Sequence, residues 1–148
     1  MRLSDIHQLL LNANLSESSR LVGGEKESAK IEAKRYFRRF ATLGLNEKNT
    51  AIAYFGDISS FGGAQTDDVT FVRLVHAELP HPPYVLIRGA GIHQEVSARF
   101  GPWADLAGGS VLVVGVLQND RRGIPFIVPV DIDHIHFLNK QQVDPIAK

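Results

Sequence analysis

Leu106 to Leu138 reads LAGGSVLVVGVLQNDRRGIPFIVPVDIDHIHFL, and the rest of the chain can be placed around it. Two glycines open it, and Val111 to Leu117 is apolar on both pleat faces, as a buried strand should be. Asn119-Asp120-Arg121-Arg122-Gly123 then supplies residues that tolerate positive φ or bond their own backbone, so the chain turns back into a second apolar run. The spacing predicts a β-hairpin. Gly115 within the first strand predicts a bend or a close backbone approach, hence a curved sheet. On the return strand Phe126, Val128, Val130 and Ile132 share one face while Ile135 and Phe137 fall on the other, so the phase slips at Asp133-His134 and a bulge or break is expected there.

Upstream, Val69 to Ala77 and Tyr84 to Arg88 read as strands, separated by Pro80, Pro82 and Pro83. Glu95 to Phe100 alternates apolar and polar and is read as a third strand. Pro102 to Leu106 reads as one helical turn with Trp103 packed on the sheet. Thr50 to Phe55 is a strand, and Gly56 to Asp68 an exposed loop whose glycines lack phosphate-loop spacing.

The N-terminal part reads as helical. Ser4 caps a short helix from Asp5 to Asn12 with Ile6, Leu9 and Leu10 inward, and Leu15 to Leu21 is a second turn. Glu25 to Leu43 carries Ala29, Ala33, Tyr36, Phe37, Phe40 and Leu43 as an apolar stripe, with Gly44 at the left-handed end position. Its acids come early and its bases late, which complements the helix dipole; alternatively Lys34 and Arg38 belong to a basic ridge that tracks phosphates.

Composition narrows the function. The 16 basic and 16 acidic residues cancel, so no global field attracts nucleic acid, although residues 1–46 carry an excess of three positive charges. Without cysteine there is no disulfide framework, thiolate zinc site or cysteine nucleophile, which fits a cytoplasmic protein. The N-terminal apolar patch is too short for a signal segment, and no run reaches membrane-spanning length.

The order from Val69 to Leu138, three strands, a short helix and two strands, resembles an OB-fold. Leu106 to Leu117 is similar to the run that introduces the fourth strand in single-stranded-DNA-binding proteins, and Val130 to Leu138 to the end of their last barrel strand. The N-terminal helical part lies outside that pattern, and no acidic, glycine-rich tail follows it. The fold expected is α+β, with N-terminal helices packed on a small five-stranded OB-like β-barrel. Residues 1–46 form the helical segment, 47–68 a strand and loop, 69–140 the barrel and 141–148 a tail. The resemblance implies a ligand groove across the second and third strands, where Tyr84 and Phe100 offer ring faces and Arg88, Arg99, Arg121 and Arg122 offer cations.

The first functional expectation is therefore a non-catalytic protein that binds single-stranded nucleic acid, with no cofactor. The second is a protein-interaction or scaffold module, self-association included, using the open edge that Pro125 and Pro129 create or the amphipathic helix. The third is a metal-dependent enzyme: His134 and His136 form a strand H-x-H pair, His93 adds a nitrogen, and Asp131 and Asp133 add carboxylates. No serine is flanked as G-x-S-x-G, and no spacing singles out Glu78, Glu95 or Asp105 as an acid or base.

Overall fold

The structure, a computed structural model, describes residues 3–12, 36–62 and 69–143. Its strands are β1 (Phe37–Arg39), β2 (Ala53–Gly62), β3 (Val69–Leu74), β4 (Tyr84–Arg88), β5 (Ser110–Val114), β6 (Gln118–Asn119), β7 (Pro125–Ile127) and β8 (Ile135–Leu138). They form one sheet in the order β6-β7-β4-β3-β2-β5-β8, with β1 attached to β2. The class is α+β as expected. Among the described residues the strands number eight rather than five, however, and the sheet they form is not closed into a barrel.

The long strand β2 organises the sheet. Ala53 to Asp57 pairs antiparallel with β5, and Ala53 to Phe55 also pairs parallel with β1; from Ile58 the strand pairs antiparallel with β3, with a register shift between Ile58 and Ser60. The expected loop from Gly56 is thus strand as far as Gly62. Its glycines and serines misled the reading because polarity there marks an open face: Ser59 and Ser60 face water while Ile58 is buried. Phe40 and Leu74 sit where a Gly56 side chain would project.

Two further readings are corrected. Glu95 to Phe100 belongs to a helix, α2 (Ala90–Phe100), because Ile92, Val96 and Phe100 also repeat at i, i+4 and i+8, and Ile92, Val96 and Phe100 pack on the core. Six residues of alternation could not separate the two periods. The expected helix to Leu43 is strand β1 followed by a 3-10 turn, Phe40–Thr42. Pairing with β2 overrides helix propensity there. The earlier part of that helix, with Lys34, and the turn at Leu15 to Leu21 lie outside the described residues.

The expected hairpin is shorter than read: β5 pairs with β2 and β8, and the Asn119 to Gly123 turn joins the two-residue β6 to β7. Several other expectations hold. Helix α1 (Leu3–Asn12) covers the predicted first helix, and its Leu3, Ile6 and Leu10 pack on Ala53, Phe55 and Leu112. The helical turn α3 (Trp103–Leu106) sets Trp103 against Phe61 and Phe137. A 3-10 turn at Ile132–His134 stands at the predicted slip, sending β8 away from β7 to pair with β5. Strand β5 ends before Gly115, whose missing side chain leaves room for Ile127. The last helical turn is α4 (Lys140–Val143).

The main core lies between the inner sheet face and α2, with Tyr54, Ile58, Val72, Leu74, Val85, Ile87, Val111 and Phe137 among its members. Tyr54 is fully buried, yet its hydroxyl accepts the Thr50 and Ala51 amides and donates to Asn49. Gly109 enters β5 so close to the Leu138 carbonyl that a Cβ would overlap it. Gly109→Ala should therefore cost about 2 kcal/mol by forcing β5 from β8, measured as a lowered urea midpoint at unchanged slope.

Candidate functional site

Alternation along the strands splits them between two apolar faces. Val72, Leu74, Val85, Ile87 and Ile127 enter the main core, whereas Val69, Phe71, Tyr84, Leu86, Phe126 and Val128 cluster with Ile124 on the other face. Among the described residues no helix contributes to this second cluster. Register sets Arg73, Tyr84 and Phe126 in one row, Phe71 beside Leu86, and Val69 beside Arg88. Tyr84 stacks on Phe126 with centroids 5.0 Å apart and planes 7° from parallel, while Phe71 meets Tyr84 edge-on at 5.4 Å. Phe71 and Phe126 are only half-buried, so ring surface remains open to a ligand.

One carboxylate builds the cationic end of this face. Asp120 Oδ1 accepts the amides of Arg122 and Ile124, and Oδ2 accepts the Tyr84 hydroxyl at 3.1 Å and Arg122 Nη2 at 3.0 Å. Asp and Gly give the turn its shape: the Gly123 amide donates to the Asp120 carbonyl, and Gly123 has φ 79°. Burial alone would raise the Asp120 carboxyl, but these amides and the guanidinium outweigh it and hold the group below its ordinary value. Burial, with Asp120 second, pushes the Tyr84 phenol up to about 12, so it remains a donor at neutral pH. A cavity of about 310 Å³ opens here, lined by Phe71, Arg73, His81, Pro82, Tyr84 and Arg122.

The residues singled out from sequence are dispersed. Tyr84 and Arg122 meet at the cavity; Arg121 is exposed beside them, and Arg88 is exposed at the far end of β4. Arg99 and Phe100 lie on α2 instead: Arg99 pairs with Glu95 and Asp133, and Phe100 packs against His136 and Phe137. Arg38 sits in β1, not on a helical ridge, and pairs with Glu47 at 3.2 Å. Lys34 lies outside the described residues. Phe71, Arg73 and Phe126 were not foreseen as site residues. For Phe71 and Phe126 the signal was a strand pattern apolar on both faces where a one-sided sheet would alternate with polar residues.

No known protein family and no curated protein matches this chain. Among solved structures it is similar to the OBody AM1L10 bound to hen egg-white lysozyme, at TM-score 0.46 and 20% identity over 68% of this chain and 90% of that one.

The histidines do not converge. His93 bonds Thr70 Oγ1 at 2.9 Å and stacks on Trp103, His134 is exposed in its 3-10 turn, and His136 contacts His7 of α1. Among the described residues no group of three or more His, Asp or Glu comes together to hold a metal. His7 Nδ1 lies 2.8 Å from His136 Nδ1, and His7 Nε2 lies 2.9 Å from Ser110 Oγ, whose proton reaches the Gly56 carbonyl. One assignment satisfies every member: His136 Nδ1–H donates to His7 Nδ1, and His7 Nε2–H donates to Ser110. The series has the order of a nucleophile, a base and an orienting group. Ser110 and His7 are both fully buried, however, so no substrate reaches them and the series fastens α1 to the sheet.

Proposed function

We propose that this protein binds single-stranded nucleic acid on the face formed by β3, β4 and β7. The observation that carries this reading is the set of Phe71, Tyr84 and Phe126 rings bordered by Arg73, Arg88 and Arg122. Every base has a π-face to stack on such rings, and every phosphate needs a cation, so rings and guanidiniums side by side suit a single strand better than a duplex. Strand order adds support. β6 follows β5 after only three residues, so chain closes the gap that hydrogen bonding leaves between the ends of the β2-β3-β4-β7 path. With α2 and α3 inserted before β5, we take this as an incompletely closed OB-like barrel whose first strand is β2.

Anisotropy titration of a labelled oligothymidylate at low and moderate salt tests the proposal. Binding should saturate, exceed that of a duplex and weaken with salt. Phe126→Ala should weaken it about tenfold, the loss of about 1.4 kcal/mol of stacking. Equal affinity of the variant and the parent would reject this face. A protein that pulls down on the same face and is insensitive to salt would instead support the scaffold reading.

A further inference from the structure

We propose that the cavity at the turn end of this face holds a terminal phosphomonoester of the bound strand. The inference rests on the nucleic-acid reading above and adds to it the part of the ligand that this end selects. Arg73, Tyr84 and Phe126 form the row nearest the cavity. Beyond that row stand His81 and Pro82 on one side and Arg122 of the Asp120 turn on the other. In this proposal a strand laid over Phe71 and Leu86 ends against these residues, so that its terminal phosphate rather than an internal linkage enters the cavity.

The charges agree. An internal diester carries one negative charge, whereas a monoester at neutral pH carries between about 1.5 and 2. Two guanidiniums and an imidazole line this cavity, and planar forked donors suit phosphate oxygens. Asp120 occupies one Nη of Arg122, leaving other donors of its five N–H groups for a ligand. The position of Arg73 depends on a glycine: its guanidinium rests where a Gly62 side chain would project, with Nη1 3.5 Å from Ser60 Oγ. At about 310 Å³ the cavity lies at the lower end of the range for small-ligand sites, about 300–1,000 Å³, room for one nucleotide.

The test uses the full chain and three oligothymidylates of equal length, ending in 5′-phosphate, 3′-phosphate or hydroxyls only. One phosphorylated form should bind about tenfold tighter than the hydroxyl form, and inorganic phosphate should erase that advantage. In Arg73→Gln with Arg122→Gln the ratio between the two forms should fall to one, whatever the absolute affinities. Gly62→Ala, which displaces Arg73 without removing a charge, should also lower the ratio. Equal binding of all three strands to the parent protein overturns the inference while leaving the nucleic-acid reading in place. Titration with thymidine monophosphate separates the remaining cases. If no strand binds but the mononucleotide shifts the Arg73 and Arg122 side-chain resonances, the phosphate site stands without the strand; if neither binds, both readings fall.

Discussion

Between pH 7 and pH 5 the folded state loses about 2 kcal/mol through His7 alone. His7 is fully buried, and burial, followed by the charge His136 would carry, lowers its pKa from 6.5 to about 3. Its unfolded form takes up a proton near 6.5, the folded form only near 3. The stabilisation is complete above pH 6.5, shrinks as pH falls below it, and is gone once pH drops below about 3. Burial lowers His136 as well, so its contribution has the same sign. Urea unfolding followed by Trp103 fluorescence at pH 7 and pH 5 measures the loss. His7→Gln keeps a donor for Ser110 and an acceptor for His136 without titrating, so its loss should be smaller by about 2 kcal/mol. Identical losses in the variant and the parent would mean that His7 is not held neutral by the fold.

Asp120→Ala should cost about 3 kcal/mol and weaken oligonucleotide binding at least tenfold. The carboxylate accepts four hydrogen bonds, from the Arg122 and Ile124 amides, the Tyr84 hydroxyl and the Arg122 guanidinium. Ile124 is fully buried and the Tyr84 side chain nearly so, and their donors lose a charged partner that little water can replace. The turn then ceases to present Arg122 beside Tyr84, which links a stability loss to a binding loss at one residue. Asp120→Asn retains one acceptor oxygen and should fall between the two. Urea midpoints and anisotropy on the three proteins give both numbers; unchanged binding in Asp120→Ala would separate the turn from the ligand face.

Sequence made some elements legible for identifiable reasons. Val69 to Leu74 and Tyr84 to Arg88 are short runs rich in β-branched and aromatic residues, and the proline run between them marked the break. The phase slip at Asp133-His134 found the 3-10 turn before β8. Hidden elements were those whose local signal conflicts with their pairing. β2 pairs with three strands, so its glycines and serines read as loop. Val96 and Phe100 satisfy both a strand and a helix over so short a span. Phe37 to Arg39 continued a helical stripe although parallel pairing with β2 held them extended. The candidate site was half visible: Tyr84 and Arg122 were named, but Phe71 and Phe126 were not singled out, because a strand apolar on both faces does not say which face is covered. The His7–His136 contact joins residues 129 apart in sequence, and no local pattern could have paired them.

The most direct test of the account is a nitrogen–proton NMR titration of the full chain with unlabelled oligothymidylate, mapped residue by residue. The account predicts that the largest shifts cluster on Phe71, Arg73, Tyr84, Leu86, Arg122 and Phe126, with α1 and β8 unmoved. Shifts concentrated on α1, β1 or β8, or no shifts at strand concentrations up to about 100 μM, on the order of the weakest non-specific affinities, would contradict it.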